Sequence, residues 1–557
     1  MYVDSSSSTT HGKTYWRHLL RRSFRQAGKV QHETIANLSD CSSEEIEAIR
    51  LALRHKGDLQ ALIHERPALA LRQGLAVGAV WVAFDLARQL GIDRALGDTR
   101  QGRLALWQVM ARLIDQGSRL SAVRLARSHA ACDVLGLDAF DEDDLYANLD
   151  WLADNQERIE QALSKNRAPG GLFLYDVTSS YLEGEHNELA AFGYNRDGKR
   201  GKMQIVIGLL CDAAGEPLAI EVFEGNTQDT RTMHAQIAKA AERFGGGEVT
   251  FVGDRGMIKG PQIAELAAAG FHYITAITKA QIQTLLGRGV LQLELFDEEL
   301  AEVCAAGGER YVLRRNPVRA AEIAASRQDK LASLRKLLDA ANERLAAHPR
   351  ARVATALGQL RRRAEKLGVG GWVEWAEAPP PDPAAPDGRR LTINVDQAGL
   401  QEAARLDGCY ALKTDLAPEA AAKEIVHGRY KDLALVERAF RTSKQVELEL
   451  RPIHVRLATR TRGHVLVVML AYRIARELER RWAGLDVRVQ EGLDELAGLC
   501  ATEIVEAGRA QCCQIPEPRE SVRALLEAAR VRLPEALPCR GVVVSTKKSL
   551  AKRKSKD

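Results

Sequence analysis

The sequence predicts a mixed α/β protein, a sheet flanked by helices, on three observations. The first is Gly171-Leu-Phe-Leu-Tyr-Asp-Val-Thr-Ser-Ser-Tyr181, a run of strand formers with one carboxylate, Asp176, at its centre. The second is the order that follows: two apolar runs, 203–212 and 217–224, joined by a turn at 213–216, then helical and strand patterns in alternation. The third is the change of periodicity at Ala168-Pro-Gly-Gly171, which separates this region from a helical one before it.

Composition sets the bounds. With 557 residues, 45% apolar and 27% charged, the chain can bury several cores. No apolar run precedes Lys13 and none elsewhere approaches bilayer length, so neither a secretory signal nor a membrane helix is expected, and a cytoplasmic protein follows. Nine scattered cysteines predict free thiols; Cys500, Cys512 and Cys513 form only a weak cluster for zinc. The net charge is +5, and the run from Lys547 to Lys556 makes a cationic tail suited to phosphate backbones or simply to solvent.

Taken in order, residues 1–40 read as a hairpin region turning about Gly28. Ser42 and Glu45 have the spacing of a capping box, and Ile46, Ile49 and Leu53 then share a helical face. The pattern from 69 to 163 is helical throughout, so that 41–168 is expected to be an all-helical region, with Arg119, Arg124, Arg127 and His129 facing either DNA or solvent. Residues 169–280 form the first part of the sheet domain, whose strand at 249–253 delivers a second acid, Asp254. If the strands bearing Asp176 and Asp254 are adjacent, the two carboxylates lie side by side and need protons, cations or a hard metal ion such as Mg²⁺ or Mn²⁺.

From 281 to 388 the pattern breaks into long helices carrying Leu331, Leu334, Leu337, Leu338 and Leu345, closed by a proline-rich connector. This reads as an insertion, in which Trp372 and Trp375 either pack or stack on an unpaired base. Residues 389–485 restore strands at 391–395 and 408–414, then a helix from 429 to 444. Tyr430, Glu437 and Lys444 are seven residues apart and share one helix face, about 10 Å between neighbours along the axis. An apolar helix from 465 to 480 follows His454 and His464, and 486–557 reads as a helical C-terminus ending in the basic tail.

The motifs Tyr175-Asp-Val-Thr-Ser179, Lys202-Met-Gln204, Glu224-Gly-Asn-Thr-Gln-Asp229, Val252-Gly-Asp-Arg-Gly-Met257 and the Tyr430, Glu437, Lys444 spacing resemble the DDE transposases of bacterial insertion sequences, specifically the group with a Tyr-Arg-Glu-Lys signature and a core split by a large insertion. The likeness extends from Arg25 to Leu38 and through Arg451-Pro-Ile-His454 and Arg460-Thr-Arg-Gly-His464. It implies a ribonuclease-H-like mixed five-stranded sheet, split by a mainly helical insertion, behind a helical N-terminal region that recognises DNA ends. It implies a metal-binding catalytic triad of Asp176, Asp254 and Glu437 using Mg²⁺, or Mn²⁺ in its place, with Tyr430, Lys444, Arg438, Arg255 and His464 meeting DNA. Leu433 stands where the signature arginine is expected. The implied activity is hydrolysis at terminal inverted repeats followed by strand transfer into target DNA, by a homodimer in the synaptic complex, at the nucleoid and without a membrane partner. The alternatives are a nuclease with the same core that cuts without joining, and a non-catalytic DNA-binding regulator derived from a transposase.

Overall fold

The computed structural model describes residues 1–10, 13–57, 70–165, 171–243 except 185, 195, 197 and 200, 249–378, 390–450 except 445–447 and 449, 453–506 and 509–547. The expected basic tail therefore lies outside the described residues apart from Lys547, as do Arg451 and Pro452 of the matched motif. The chain divides into two compact units, one comprising 1–86, 120–141 and 478–557, the other 87–119 and 142–477.

The first unit begins with an antiparallel three-stranded sheet in the order β1 (Tyr2–Thr10), β2 (Lys13–Gln26), β3 (Lys29–Asn37), turning between β2 and β3 through Ala27 and Gly28, both at positive φ. It is more than the expected hairpin, because residues 2–10 pair along β2. The helix Ser43–Arg54 follows behind its capping box, in which the Ser42 hydroxyl accepts from the Glu45 amide and the Glu45 carboxylate accepts from the Ser42 amide. Residues 70–76, read as helical from the sequence, form a strand instead, β4 (Ala70–Ala76). Local propensity gave no hint of this. The strand exists because a partner distant in sequence pairs with it, as described below.

The second unit is built on an eight-stranded sheet. Its strands are β5 (Gly171–Tyr181), β6 (Gln204–Asp212), β7 (Pro217–Phe223), β8 (Val249–Gly253), β9 (His272–Ala276), β10 (Ala301–Cys304), β11 (Arg310–Arg315) and, after an excursion that carries the two-stranded ribbon β12 (Val373–Ala378) and β13 (Arg390–Val395), β14 (Cys409–Thr414). The sheet order is β10-β11-β14-β9-β8-β5-β6-β7. β5, β6 and β7 make an antiparallel meander, β8 and β9 run parallel to β5, and β14, β11 and β10 continue antiparallel. The expectation of five strands is corrected to eight, because β10 and β11 come from the insertion and pair onto the edge that five strands would leave open. The opposite edge is also covered. Ile220 in β7 donates its amide to Glu160, and its carbonyl accepts from Gln156, both on the helix Gln156–Ser164.

Every residue of β6 except Asp212 is buried, and so are most residues of β5, the mark of strands covered on both faces. The core beneath them joins Phe173, Tyr175, Leu210, Met233, Phe251, Phe271 and Tyr273. Phe251 packs against Phe173 and Phe271 at ring-centre distances of 5.6 and 5.8 Å. Gly208 is required opposite Tyr175, since a Cβ there would lie 2.3 Å from the tyrosine Oη.

The insertion's long helices, Pro317–Ala347 and Val353–Leu367, have cores of their own around Leu334, Ala364, Trp372, Leu338, Leu345 and Leu360. Residues 390–395, expected to return to the catalytic sheet, pair instead with β12. The stacking option for the tryptophans is removed as well: Trp372 is 5% exposed, and Trp375 packs with Ile393 against the same clusters.

The C-terminal region, expected to be helical, is half sheet. β15 (Cys500–Glu506) and β16 (Arg509–Gln514), between the helices Val489–Ala497 and Glu520–Ala528, and β17 (Ala536–Leu537), after the second helix, complete the order β17-β16-β15-β4 in the first unit. Pairing of Cys513 with Leu537 brings Cys539 to bonding distance, and a disulfide joins Cys513 to Cys539 with 5.7 Å between Cα atoms. The expectation of free thiols holds for the other seven cysteines alone. Among the described residues no helix is long and apolar enough to cross a membrane.

Candidate active site

Asp176 sits in the middle of β5 because the flanking Leu174, Tyr175 and Val177 bury the strand on both sides of it. The parallel ladder between β5 and β8 ends at the pair Tyr175 and Gly253, so the next residues along each strand are Asp176 and Asp254. Strand adjacency thus brings together two acids 78 positions apart in the chain.

The third acid arrives differently from the expected continuous helix. The chain forms Lys423–Lys431, breaks at Asp432 and resumes as Leu433–Lys444, which packs on β5. Val436, Ala439, Phe440 and Ser443 form the buried face of the second helix, leaving Glu437 and Arg438 in solvent. The break falls within the presumed single face, so Tyr430 belongs to one helix and Glu437 and Lys444 to the other.

The electrostatics tie the three acids together. The Asp176 carboxyl is pushed up to about 7, first by burial, then by the neighbouring charges of Asp254 and Glu437, against the Val177 amide and the Arg196 guanidinium, which favour the ionised form. Its Oδ1 accepts from the Val177 amide at 2.7 Å. Asp254 is exposed; its Oδ1 accepts from the Arg255 amide at 2.7 Å and from the Tyr430 hydroxyl at 3.2 Å. Burial and the Asp254 charge raise the Tyr430 phenol, which keeps it a donor to that carboxylate.

The other expected DNA contacts divide into two groups. Arg255 and Arg438 are exposed beside the acids. Lys444 and His464 are not. Lys444 is 8% exposed and donates to Thr178 Oγ1 on β5, two residues from Asp176, because its long apolar stem is better buried against the strand. His464 is 6% exposed in the apolar helix Ala458–Arg481, where burial and the charges of Arg112 and Arg119 hold its imidazole well below its ordinary value. For these two the expectation of a surface contact with DNA is corrected. Leu433, at the signature arginine's position, is buried where the second helix begins, so no side chain from that position reaches a phosphate.

One site residue, Arg196, escaped the sequence reading. Arg196 Nη2 bonds Asp229 Oδ1 at 2.5 Å, its amide donates to Ser179 Oγ at 2.8 Å, and its charge reaches Asp176. It lies in a polar loop without periodicity. The signal available was Asp229, the end of the matched 224–229 motif, whose partner only the fold reveals.

The chain matches the transposase DDE domain family over residues 168–474 and the N-terminal domain of IS1634 family transposases over residues 3–63. It is a DDE transposase of an insertion sequence. No curated protein matches the chain in sequence. Among solved structures, the cryo-EM structure of the piggyBac transposase synaptic complex with hairpin DNA shares 10% identity over 75% of each chain, with a TM-score of 0.33. The transposase family implies DNA as partner, nucleotidyl transfer as reaction and divalent metal ions as cofactors.

Among the described residues, no group of three or more His, Cys, Asp or Glu side chains converges tightly enough to hold a metal ion. The donor chemistry of this transposase nonetheless fits a hard divalent cation: carboxylate oxygens from two adjacent strands and one helix, with the buried member destabilised as an anion by the other two.

Proposed function

We propose that this transposase binds the terminal inverted repeats of its element, frees their 3′ ends by hydrolysis and joins those ends to target DNA, with Asp176, Asp254 and Glu437 as the ligands of two Mg²⁺ ions. The observation that carries the reading is the meeting of three carboxylate fields at Asp176, from its own strand, the parallel neighbour and the helix laid across it. The order β7-β6-β5-β8-β9, antiparallel for three strands and then parallel, supports a ribonuclease-H-like core enlarged by three further strands. The proteins of this family work on DNA, and pairing two ends requires at least a dimer in the synaptic complex.

Bound divalent ions would lower the pKa of a water or 3′-hydroxyl and stabilise the leaving oxygen. The chain's own groups prepare that site. Tyr430 holds the Asp254 carboxylate by its hydroxyl hydrogen bond. Lys444 fixes the Glu437 helix to β5 through Thr178. Arg255 and Arg438 offer exposed charge to the phosphate backbone beside the acids. Arg196 balances part of the negative field at Asp176.

The test is cleavage and joining of a labelled duplex ending in the element's own terminal repeat, with Mg²⁺ or Mn²⁺, comparing wild type with Asp176→Asn and Glu437→Gln. Metal-dependent nicking and joining, both lost in the variants, is the expected result. Nicking without joining would support the nuclease reading. Binding without nicking by the wild type would support a regulator, and nicking that survives both substitutions would remove the triad assignment.

A further inference from the structure

In the first unit the chain beyond Leu537 has no regular secondary structure through Thr546, yet it is laid along the protein as a strap. Four residues between 127 and 141 grip it. The Arg540 amide donates to Asp133 Oδ1 at 3.0 Å, and the Arg540 guanidinium donates to Asp138 Oδ1 at 2.8 Å. The Arg127 guanidinium donates to the Val544 carbonyl at 3.0 Å and to Thr546 Oγ1 at 3.1 Å, and Lys547 meets Asp141 at 3.2 Å. Val544 is 3% exposed and its neighbour Val543 80%, so one side chain of the strap is seated and the next stands in solvent.

These contacts hold weakly by themselves. The two ion pairs each have one partner well exposed, Asp138 and Lys547, and such pairs contribute little. The ladder that starts the strap is two residues long, Cys513 with Leu537 and Gln514 with Ala536. What fixes the strap covalently is Cys539, two residues past that ladder, through its bond to Cys513. Cys513 is buried, whereas Cys539 is half-buried between the exposed Pro538 and Arg540, where a small thiolate can reach it. Cys512, next to Cys513 and on the opposite face of β16, stays a free thiol. A protein that works on DNA meets thiol reductants in the cell, and disulfides that form against them are usually redox-sensing or catalytic.

We infer that the Cys513–Cys539 disulfide is a redox latch on the C-terminal strap: oxidised, it holds residues 538–547 against Arg127 and the acids of 133–141; reduced, it lets the strap open and frees Arg127. Opening is a two-electron exchange. A thiolate of a dithiol reductant attacks Cys539 Sγ, the S–S bond breaks, and Cys513 leaves as a thiolate that takes up a proton. The reductant's second thiolate then displaces Cys539, which is protonated in turn, and the dithiol ends as a disulfide. Opening uncovers the Arg127 guanidinium on its helix and releases Lys547, the first residue of the lysine-rich run, from Asp141. The latch lies in the first unit, apart from the three acids, and stands whatever reaction they perform.

The experiment uses the full wild-type chain in two redox states, so that the main comparison needs no variant. Protein is treated with oxidised glutathione or with dithiothreitol, and the reagent is removed before digestion. Peptide mapping by mass spectrometry after alkylation in denaturant is expected to find Cys513 linked to Cys539 in the first sample and both alkylated in the second. Tryptic cleavage after Arg540 is expected to be roughly 10-fold faster in the reduced protein, because it tracks the open population that the crosslink suppresses. Cys539→Ser should be cleaved fast in both states, and Cys512→Ser should switch like wild type. Equal rates for wild type in the two states, or no linked peptide after oxidation, would overturn the latch. So would slow cleavage of Cys539→Ser, which assigns the effect to another thiol, or new cleavage throughout the chain on reduction, which makes the crosslink a support of the whole unit.

Discussion

The two largest meanders of this protein use the same secondary structure to opposite ends. β6, Gln204–Asp212, is a nearly unbroken apolar run buried on both faces, and the adjoining β5 differs chiefly in carrying one acid. β2, Lys13–Gln26, mixes cations with aromatics and is exposed over both ends. Residues 1–37 hold six Lys and Arg against two Asp and Glu, in a chain whose net charge is only +5. In the covered sheet a charge is costly, so Asp176 must be explained by chemistry. In the open sheet charges cost little singly, and what asks for explanation is their number.

Large-to-small substitutions break the comparison most sharply. Phe251→Ala, in the covered sheet, should lower unfolding stability by about 3–5 kcal/mol in a urea titration, because it empties the space between Phe173 and Phe271. Trp16→Ala, 60% exposed in the open sheet, should change it by no more than about 0.5 kcal/mol. Equal losses would mean that β1–β3 is a packed core.

Next in size is the crosslink of the other small sheet. Cys539→Ser should cost about 3 kcal/mol under non-reducing conditions, the closure entropy of a loop of 26 residues, and nothing once both proteins are in excess thiol.

The charges of the open sheet are then tested by salt. Arg17→Gln with Arg25→Gln should weaken binding to duplexes of any sequence and reduce the slope of log affinity against log salt by about two, if each contacts a phosphate. An unchanged slope would leave those arginines to solvent.

The last test concerns Asp176 itself. Its folded carboxyl titrates near 7, above the ordinary carboxylate value near 4, so in EDTA the folded state holds a proton the unfolded state has lost. Its contribution to stability is thus most favourable below about pH 4 and diminishes as pH rises to about 7. Asp176→Asn should therefore melt at a higher temperature than wild type at pH 7 in EDTA, with the difference shrinking as pH falls. A constant difference across that range would place the acid in a better solvated environment than the strand provides.

The legibility of the sequence followed the range of the interactions. Asp176 and Asp254 were readable as neighbours because β-α order constrains which strands lie side by side, and the Ser42 cap because it is local. The break at Asp432 was not, since Tyr430, Glu437 and Lys444 keep helical spacing across it, although Tyr430 meets Asp254 from the first helix and Lys444 meets Thr178 from the second. β4 and β15 were missed for a related reason. Ala-Leu-Arg-Gln-Gly-Leu-Ala holds no β-branched residue, and it becomes a strand through a partner more than 400 positions away. Whether Trp372 packs or stacks was left open because sequence shows an aromatic's presence and not which side of the surface it occupies.

One consequence of the sheet order lies in how such a chain can be rearranged. β11 ends at Arg315, β14 begins at Cys409, and these two residues are direct partners in an antiparallel ladder. To the catalytic sheet, everything between them is the loop of a single hairpin, entered and left at adjacent points. A recombination event, or a designer, could exchange that cassette for a shorter or longer one and leave β5, β8 and the Glu437 helix in register, so that the catalytic sheet and its cassette can diversify on separate evolutionary clocks.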